Sequence, residues 1–428
     1  MKAKIFYLIV ALVLATGLAV AAVPSASVSA FTSINIYVDD DFPDTQEYHD
    51  LHMWTTIQEG INDARDGVEG VGDTVYLYAG TYNENVVVNK EILTIHGESS
   101  SKVTVDGQNS GYTIDITSDD VKVRQLKIVG GNPAGVRWGD VAKGYLEKCD
   151  ITNNAIGVLL NSLLNQTIVC NRIHDNTGDG MKVVNSQLKD LTLNTIYSNR
   201  DGISLYNSSK ITIWYNESYS NSRYGIYVDS ASYSNDIYPN DFYNNGVADG
   251  YSARAVAEYN EWYTGRSYCY NSVFYPSGSL GNYWGDYGGS DGGGDGIGDT
   301  PHPLGNEQDD YPLMSSYVNY PSTCGGSVPS CTPEVAPPSP PATPSPCFIA
   351  TAAYGTSTAA EIDTLRAFRD EVMLQNSLGS QLVALYYEVS PPVADFISEH
   401  EGLRTLVREL LVDPVTWLVE ATGTLWRD

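Results

Sequence analysis

Asp179 and Asp201 stand 22 residues apart, each directly before a glycine, with Lys182 and Arg200 close by in the chain. If the chain repeats with that period, the two carboxylates sit one repeat apart and repel each other unless a proton or a cation intervenes. That is how acid/base pairs and calcium sites in glycan-active enzymes are made. A nearby Lys or Arg then serves as base or neutralises an acidic sugar. The alternative is a solvated face on which Asp179 pairs with Lys182 or Arg200. The motifs that would strengthen hydrolysis, an N-T-D, a D-D with a G-H-G, and an R-I-K, are absent, and "RIHDN" at 172–176 does not replace them.

Two further sets carry chemistry. Tyrosines thicken toward residue 270, joined by Trp214 and Trp262. Aromatic faces stack on sugar C–H surfaces, so Tyr206, Trp214, Tyr227 and Trp262 are candidate carbohydrate contacts, while others of the set pack between turns. In "NYWGDYGGSDGGGDGIGDT", 282–300, Asp291, Asp295, Gly296 and Asp299 take positions 1, 5, 6 and 9 of a calcium loop. Gly293 stands at position 3 and His302 at position 12, where oxygen ligands belong. A looser calcium site on Asp291, Asp295 and Asp299 and a glycine-rich turn with solvated carboxylates both remain open. The flanking Tyr283, Trp284, Tyr287, Tyr311 and Leu313 need a surface to pack on, which predicts an end cap rather than a free linker.

These residues need a repeat to position them. Gly135, Gly157, Gly180, Gly202 and Gly225 recur at 22, 23, 22 and 23 residues, and Asn153, Asn176, Asn199, Asn221 and Asn244 keep a parallel column. Each glycine precedes an apolar, any, apolar triplet, which puts alternate side chains inside and leaves Arg137, Leu159, Lys182, Ser204 and Tyr227 as one outward row. One such coil cannot bury its own apolar face, but stacked coils share a core and pair their backbones. The expected fold class is all-β, a right-handed parallel β-helix of about 22 residues per coil, with the hand taken from the crossover rule. Thr56–Ala64 carries Ile57 and Ile61 at helical spacing and is expected to cap the open lower end.

The opening "YVDDDFPD", the "TIQEGI" and "GDTVYLYAGTYNENVVVNK" stretches, the repeats and the closing "GNYWGDYGGSDGGGDGIGDTPHPLGNEQDDYPLM" resemble the NosD-type β-helix proteins, especially the secreted surface forms of methanogenic archaea. The resemblance spans roughly residues 34–318 and implies a cell-surface β-helix of a kind described as carbohydrate-binding or sugar-hydrolysing. The family name raises copper handling. His49, His52 and Met53 are soft donors in one short cluster, the other histidines are scattered, and copper is not expected.

The remaining sequence sets compartment and domains. Residues 1–30 have the layout of a secretory signal, with an uncleaved membrane anchor as the alternative. Residues 31–320 form the β-helix with its caps, 321–346 a Pro/Ser-rich extended linker, and 347–428 a small helical domain. That last stretch, opening on "CFIATAAYGT", resembles the CFI-box domain of exported prokaryotic proteins, and Cys347 is the residue suspected of modification. Cys149 and Cys170 are expected to be buried thiols and Cys324–Cys331 a disulfide. With 24 Lys+Arg against 52 Asp+Glu, a net charge of -28, nucleic acid and anionic lipid are excluded as expected partners.

The resulting expectation is a secreted, cell-surface protein that binds polysaccharide or another envelope component and attaches through its C-terminal domain. The alternatives are a calcium-dependent polysaccharide lyase or glycosidase acting through Asp179, Asp201, Lys182 and Arg200, and a structural or adhesive spacer.

Overall fold

The computed structural model describes residues 33–421 except 69–70, 140, 142, 162–164, 188–189, 256–258, 265–267, 271–272, 276–278, 318–330, 341–347, 355–359, 374–382, 384–385, 387–396 and 398–399. Residues 1–30, expected to be a secretory signal, and Cys324 and Cys347 lie outside these residues. By internal contacts, Phe31–Asp44 with Leu51–Pro340 makes one unit and the remainder a second.

The first unit is the expected right-handed parallel β-helix. Three parallel sheets run its length, sheet 1 of ten strands, sheet 2 of nine and sheet 3 of eight. Each coil contributes one strand to each sheet in turn, as in Gly144–Glu147, Asp150–Thr152 and Val158–Asn161. The outward row holds in register: Arg137 pairs with Leu159, Leu159 with Lys182, Lys182 with Ser204 and Ser204 with Tyr227. Inward, Ile128, Ile151, Ile173 and Ile196 stack in one column of sheet 2, which continues as Ser218, Phe242 and Trp284.

The glycine column exists because of close approach. A Cβ on Gly157, Gly180 or Gly202 would meet the carbonyl oxygen of the next glycine of the column at 2.5, 2.8 and 2.5 Å, so any side chain would force adjacent coils apart.

The asparagine column needs a correction of one residue at each end. The stacked amides are Asn154, Asn176, Asn199, Asn221 and Asn245, each donating from its backbone N–H and Nδ2 to Oδ1 of the next. Asn153 and Asn244 precede them in the left-handed conformation, with φ of 56° and 57°, which turns the chain from sheet 2 to sheet 3. Both sites are Asn doublets, so the types alone could not choose. A second ladder, Asn171, Asn194, Asn216, Asn240 and Asn282, lines the corner between sheets 1 and 2.

Ladder polarity explains the far cap. Every rung donates toward the C-terminal end, so the last one requires a group that only accepts. Asp309 closes the Asn282 ladder at 2.7 Å, and Asp249 closes the Asn245 ladder at 3.0 Å. Glu307 ends a third run, Asn235 to Asn260, at 2.8 Å. The stretch from 282 onward is thus the closing piece: Asn282 rejoins its ladder 42 residues after Asn240, and Trp284 stacks on Phe242 at 4.8 Å. At the lower end the helix Ile57–Asp63, N-capped by Thr56, buries Ile57 and Ile61 as expected.

Two expectations fail together. Cys331 is bonded to Cys170, not to Cys324, and Cys170 is therefore no free thiol; Cys149 is, fully sealed, with burial pushing its thiol up to about 12. Residues 331–340 are accordingly not free linker but lie along the coils. Sequence proximity favoured the short loop, while the fold brings the Cα atoms of Cys170 and Cys331 to 5.6 Å across 161 residues.

In the second unit the helices Phe348–Tyr354, Ala360–Phe368, Glu401–Val407 and Asp413–Ala421 form around Ala350, Ala353, Ile362 and Val412. Leu406, Leu410 and Trp417 are exposed at 54, 63 and 68%. Among the described residues no helix is long and apolar enough to cross a membrane.

Candidate functional site

The side chains with chemistry gather on sheet 3. Its outward row ends in Tyr227 and Tyr251, paired across Tyr224–Val228 and Ala248–Ser252. Tyr206 lies 5.6 Å from Tyr227 between ring centres, and Tyr224 lies 5.7 Å from Tyr227 and 5.5 Å from Tyr251. All four rings are half-buried. Two cations rim them: Lys182 Nζ sits 5.2 Å from the Tyr206 ring centre, and the Arg223 guanidinium 5.2 Å from that of Tyr224. Electron-rich ring surface beside fixed positive charge is suited to a ligand with C–H faces and with hydroxyl or carboxylate groups.

Asp179 and Asp201 lie beneath this face rather than on it. Both are wholly buried. Arg200 donates to Asp179 Oδ1 from Nε at 3.0 Å and Nη2 at 2.6 Å, and Arg223 donates to Asp201 at 2.9 and 2.7 Å. Arg200 also approaches Asp201 at 3.6 Å, so the four groups alternate in sign. Burial holds the Asp179 carboxyl above its usual range, and the Asp201 charge adds to this against the pull of Arg200. Its Oδ2 is buried with no hydrogen-bond partner, as is Ser204 Oγ. Ser204 stands close enough to favour the carboxylate, but the two atoms do not meet in bonding geometry. Of the proposed catalytic set, Lys182 alone stands over the tyrosines. Both carboxylates are sealed behind Arg200 and Arg223, whereas Tyr224, which also precedes a column glycine, stays half-buried on the face.

The carbohydrate candidates separate. Tyr206 and Tyr227 share sheet 3, whereas Trp214 lies in the sheet 1 strand Thr212–Trp214, its ring 5.1 Å from that of Tyr215. Trp262 is 1% exposed and donates from Nε1 to Glu307 at 2.9 Å, a core group of the cap and no sugar contact. Tyr251 was missed, although "GYS" at 250–252 continues the alternation of "IYV" at 226–228.

A second cluster on sheet 2 also escaped sequence reasoning. His174 places Nε2 2.8 Å from Asp150 Oδ1 and Nδ1 2.7 Å from Asp175 Oδ2, and Arg172 donates to Asp150 at 3.0 Å. The imidazole then stacks on Tyr197 at 4.7 Å. The signal was one coil spacing, 22 residues, between Asp150 and Arg172.

The metal candidates do not converge. Asp291 accepts from the backbone of Gly294, Asp295 and Gly296 at 2.6, 3.2 and 2.8 Å, which holds its carboxyl below the usual range. Asp299 accepts from Gly292 at 2.5 Å and Asp295 from Ile297 at 3.0 Å. The three carboxylates brace their own loop. Among the described residues, Asp39, Asp40 and Asp41 form the one group of three or more His, Cys, Asp or Glu whose ligand atoms lie within 4.8 Å of one another. That set is all oxygen, the wrong softness for copper. His52 Nδ1 lies 2.7 Å from Asp63 Oδ2, and Met53 is 2% exposed.

Solved structures resemble this chain in fold alone. The pectate lyase Pel9A aligns at 11% identity over 52% of this chain and 68% of its own, with a TM-score of 0.41. The periplasmic alginate epimerase AlgG aligns at 17% over 45 and 50%, TM-score 0.33, so this chain spans half of that protein. The pectin methylesterase PemA from Erwinia chrysanthemi aligns at 10% over 61 and 92%, TM-score 0.33. A search of curated proteins found no match in sequence. The profile of the family described as periplasmic copper-binding protein (NosD) matches residues 67–289, more than half of the 428. The chain belongs to the NosD family.

Proposed function

We propose that this protein is a carbohydrate-binding β-helix of the cell envelope that holds a polysaccharide against the tyrosine face of sheet 3. The observation that carries the reading is the grouping of Tyr206, Tyr224, Tyr227 and Tyr251 with Lys182 and Arg223 on adjacent coils. The family's periplasmic description puts the chain outside the cytoplasm, and the Cys170–Cys331 bond agrees with an oxidising compartment. In a chain of net charge -28, Lys182 over Tyr206 also favours an acidic glycan over a second acidic protein. The helical C-terminal unit, with its likeness to the CFI-box domain, serves in this reading as the attachment to the envelope.

The test is retention of the full secreted chain on immobilised neutral and acidic polysaccharides, with Tyr227→Ala and Tyr251→Ala as variants. Retention lost in both variants supports the face. Retention that survives both, or is absent on every glycan, refutes it.

One observation favours catalysis as a second reading: the raised Asp179 carboxyl with its unpartnered Oδ2 lies directly under the tyrosines. A lyase or glycosidase acting there releases new reducing ends that vanish in Asp179→Ala. Bound glycan without new ends leaves binding alone.

A further inference from the structure

The segment "CTPEVAPPSP", 331–340, docks along the corner between sheets 1 and 2 and descends the β-helix coil by coil. Cys331 is bonded to Cys170, and one coil lower Lys148 Nζ donates to the Pro333 carbonyl at 3.3 Å. The Gln125 coil receives Val335, Ser100 Oγ donates to the Glu334 carboxylate at 2.7 Å, and Tyr78 donates to the Pro338 carbonyl. Tyr78 follows the strand Thr74–Leu77, which pairs with the first strand Asn35–Val38. The chain thus leaves the β-helix beside the end at which it began.

The contact at Val335 reads backbone, not side chain. Gln125 Oε1 accepts from Val335 N at 3.1 Å, and Gln125 Nε2 donates to Val335 O at 2.9 Å. That carbonyl also accepts from His96 Nε2 at 2.9 Å. Gln125 is 0% and His96 8% exposed, whereas Val335 is 60% exposed. Gln125 is itself held by the carbonyls of Gly97 and Glu98 at 3.2 and 3.3 Å. Two buried side chains therefore satisfy both backbone groups of one residue, and the prolines around it bring few N–H groups of their own to satisfy.

We propose that residues 331–340 are a redox-latched strap: the Cys170–Cys331 bond keeps Val335 in a pocket built for the backbone of an extended peptide, and opening the bond releases the strap. An external dithiol opens it. One thiolate attacks Cys331 sulfur, which is on the exposed side, and gives a mixed disulfide with Cys170 leaving as thiolate. The second thiol of the reagent displaces Cys331. The protein disulfide takes up two electrons and two protons to give two thiols, and the dithiol is oxidised to its cyclic disulfide. Without the covalent bond, a chain of ten residues bound mostly by exposed hydrogen bonds has its full ordering entropy to overcome.

The test uses the full secreted chain and a protease that cuts after glutamate, since Glu334 lies in the middle of the strap. Peptide mapping under non-reducing conditions should find Cys170 joined to Cys331, and a Cys324–Cys331 link overturns the proposal. Cleavage after Glu334 should be slow in oxidised protein and rise at least about tenfold on adding dithiothreitol, with the β-sheet circular dichroism unchanged. Equal rates in the two states overturn the latch, and loss of the β signal on reduction shows the bond to be a structural staple instead. Gln125→Ala should speed cleavage several-fold with the disulfide intact. An unchanged rate in that folded variant sinks the pocket.

Discussion

Tyrosines occupy successive coils on both sheet 2 and sheet 3, and the two sets differ in how their rings meet. On sheet 2, His174, Tyr197, Tyr219 and Tyr243 share one ladder position, and their rings stack at 4.7, 5.2 and 5.0 Å within 2, 10 and 2° of parallel. Coil spacing of about 4.8 Å imposes this once the rotamers agree. On sheet 3 the rings come from three positions and tilt: 41° between Tyr206 and Tyr227, 30° between Tyr224 and Tyr227. Only Tyr227 and Tyr251, which share a position, lie near parallel, at 9°. A uniform ladder spends its faces on its neighbours, so it stabilises the coil. The mixed set meets cations instead, with Lys182 over Tyr206 and Arg223 over Tyr224 and Tyr227. On the proposed function, these are the rings a ligand reaches.

The largest expected effect separates the ion pairs under the two sets. Arg223→Ala strips two hydrogen bonds from the wholly buried Asp201, leaving it only Tyr224 N at 3.3 Å and Arg200 at 3.6 Å, and should cost about 3 kcal/mol in urea denaturation. On sheet 2, Arg172→Ala leaves Asp150 with His174, and Arg172 is 58% exposed, so its loss should stay below about 1 kcal/mol. Comparable losses would mean that the sheet 3 carboxylates are better solvated than described.

Next comes pH, through the cap that both sets abut. Burial pushes Asp309 up to about 6 despite bonds from Asn282, Trp284 and Tyr311. A carboxyl whose pKa is higher folded than unfolded contributes its stability fully below the unfolded value of about 3.9, and loses it as pH rises through about 6. Asp309 alone should then remove roughly 2 kcal/mol between pH 4 and pH 7. Asp179 is raised as well and acts in the same direction. Urea titrations at the two pH values should show a decline that shrinks in Asp309→Asn. An identical pH dependence in that variant would contradict the ladder-end role.

Tyr219→Ala sharpens the comparison itself. It removes two flat stacks and should cost about 2 kcal/mol, against about 1 for Tyr227→Ala. Smallest is calcium: with the aspartates of 291–299 turned to their own loop, saturating calcium should raise stability by less than about 1 kcal/mol over chelator, and leave glycan retention unchanged. A shift of several degrees would restore a true metal site.

The repeat was legible because coil stacking forces the same residue type into the same column, and Gly157, Gly180 and Gly202 have no alternative there. The outward row from Arg137 to Tyr227 followed from alternation alone. What failed was whatever depends on corners and on chain distant in sequence. The doublets Asn153–Asn154 and Asn244–Asn245 hide which residue turns and which stacks. Asp179 and Asp201 were expected one repeat apart, either as an active pair or on a solvated face, and the types alone did not show that Arg200 and Arg223 from the following coils bury them. Cys170 and Cys331, 161 residues apart, share no local pattern, and a proline-rich stretch gives no sign of the surface that receives it.

The measurement closest to the central claim is calorimetric titration of an acidic polysaccharide into the wild-type chain, a Tyr227→Ala/Tyr251→Ala variant and a Tyr197→Ala/Tyr219→Ala variant. Affinity should fall at least about tenfold in the sheet 3 variant and stay within about twofold in the sheet 2 variant, which should instead melt lower. Affinity lost only in the sheet 2 variant, with sheet 3 indifferent, would contradict the account.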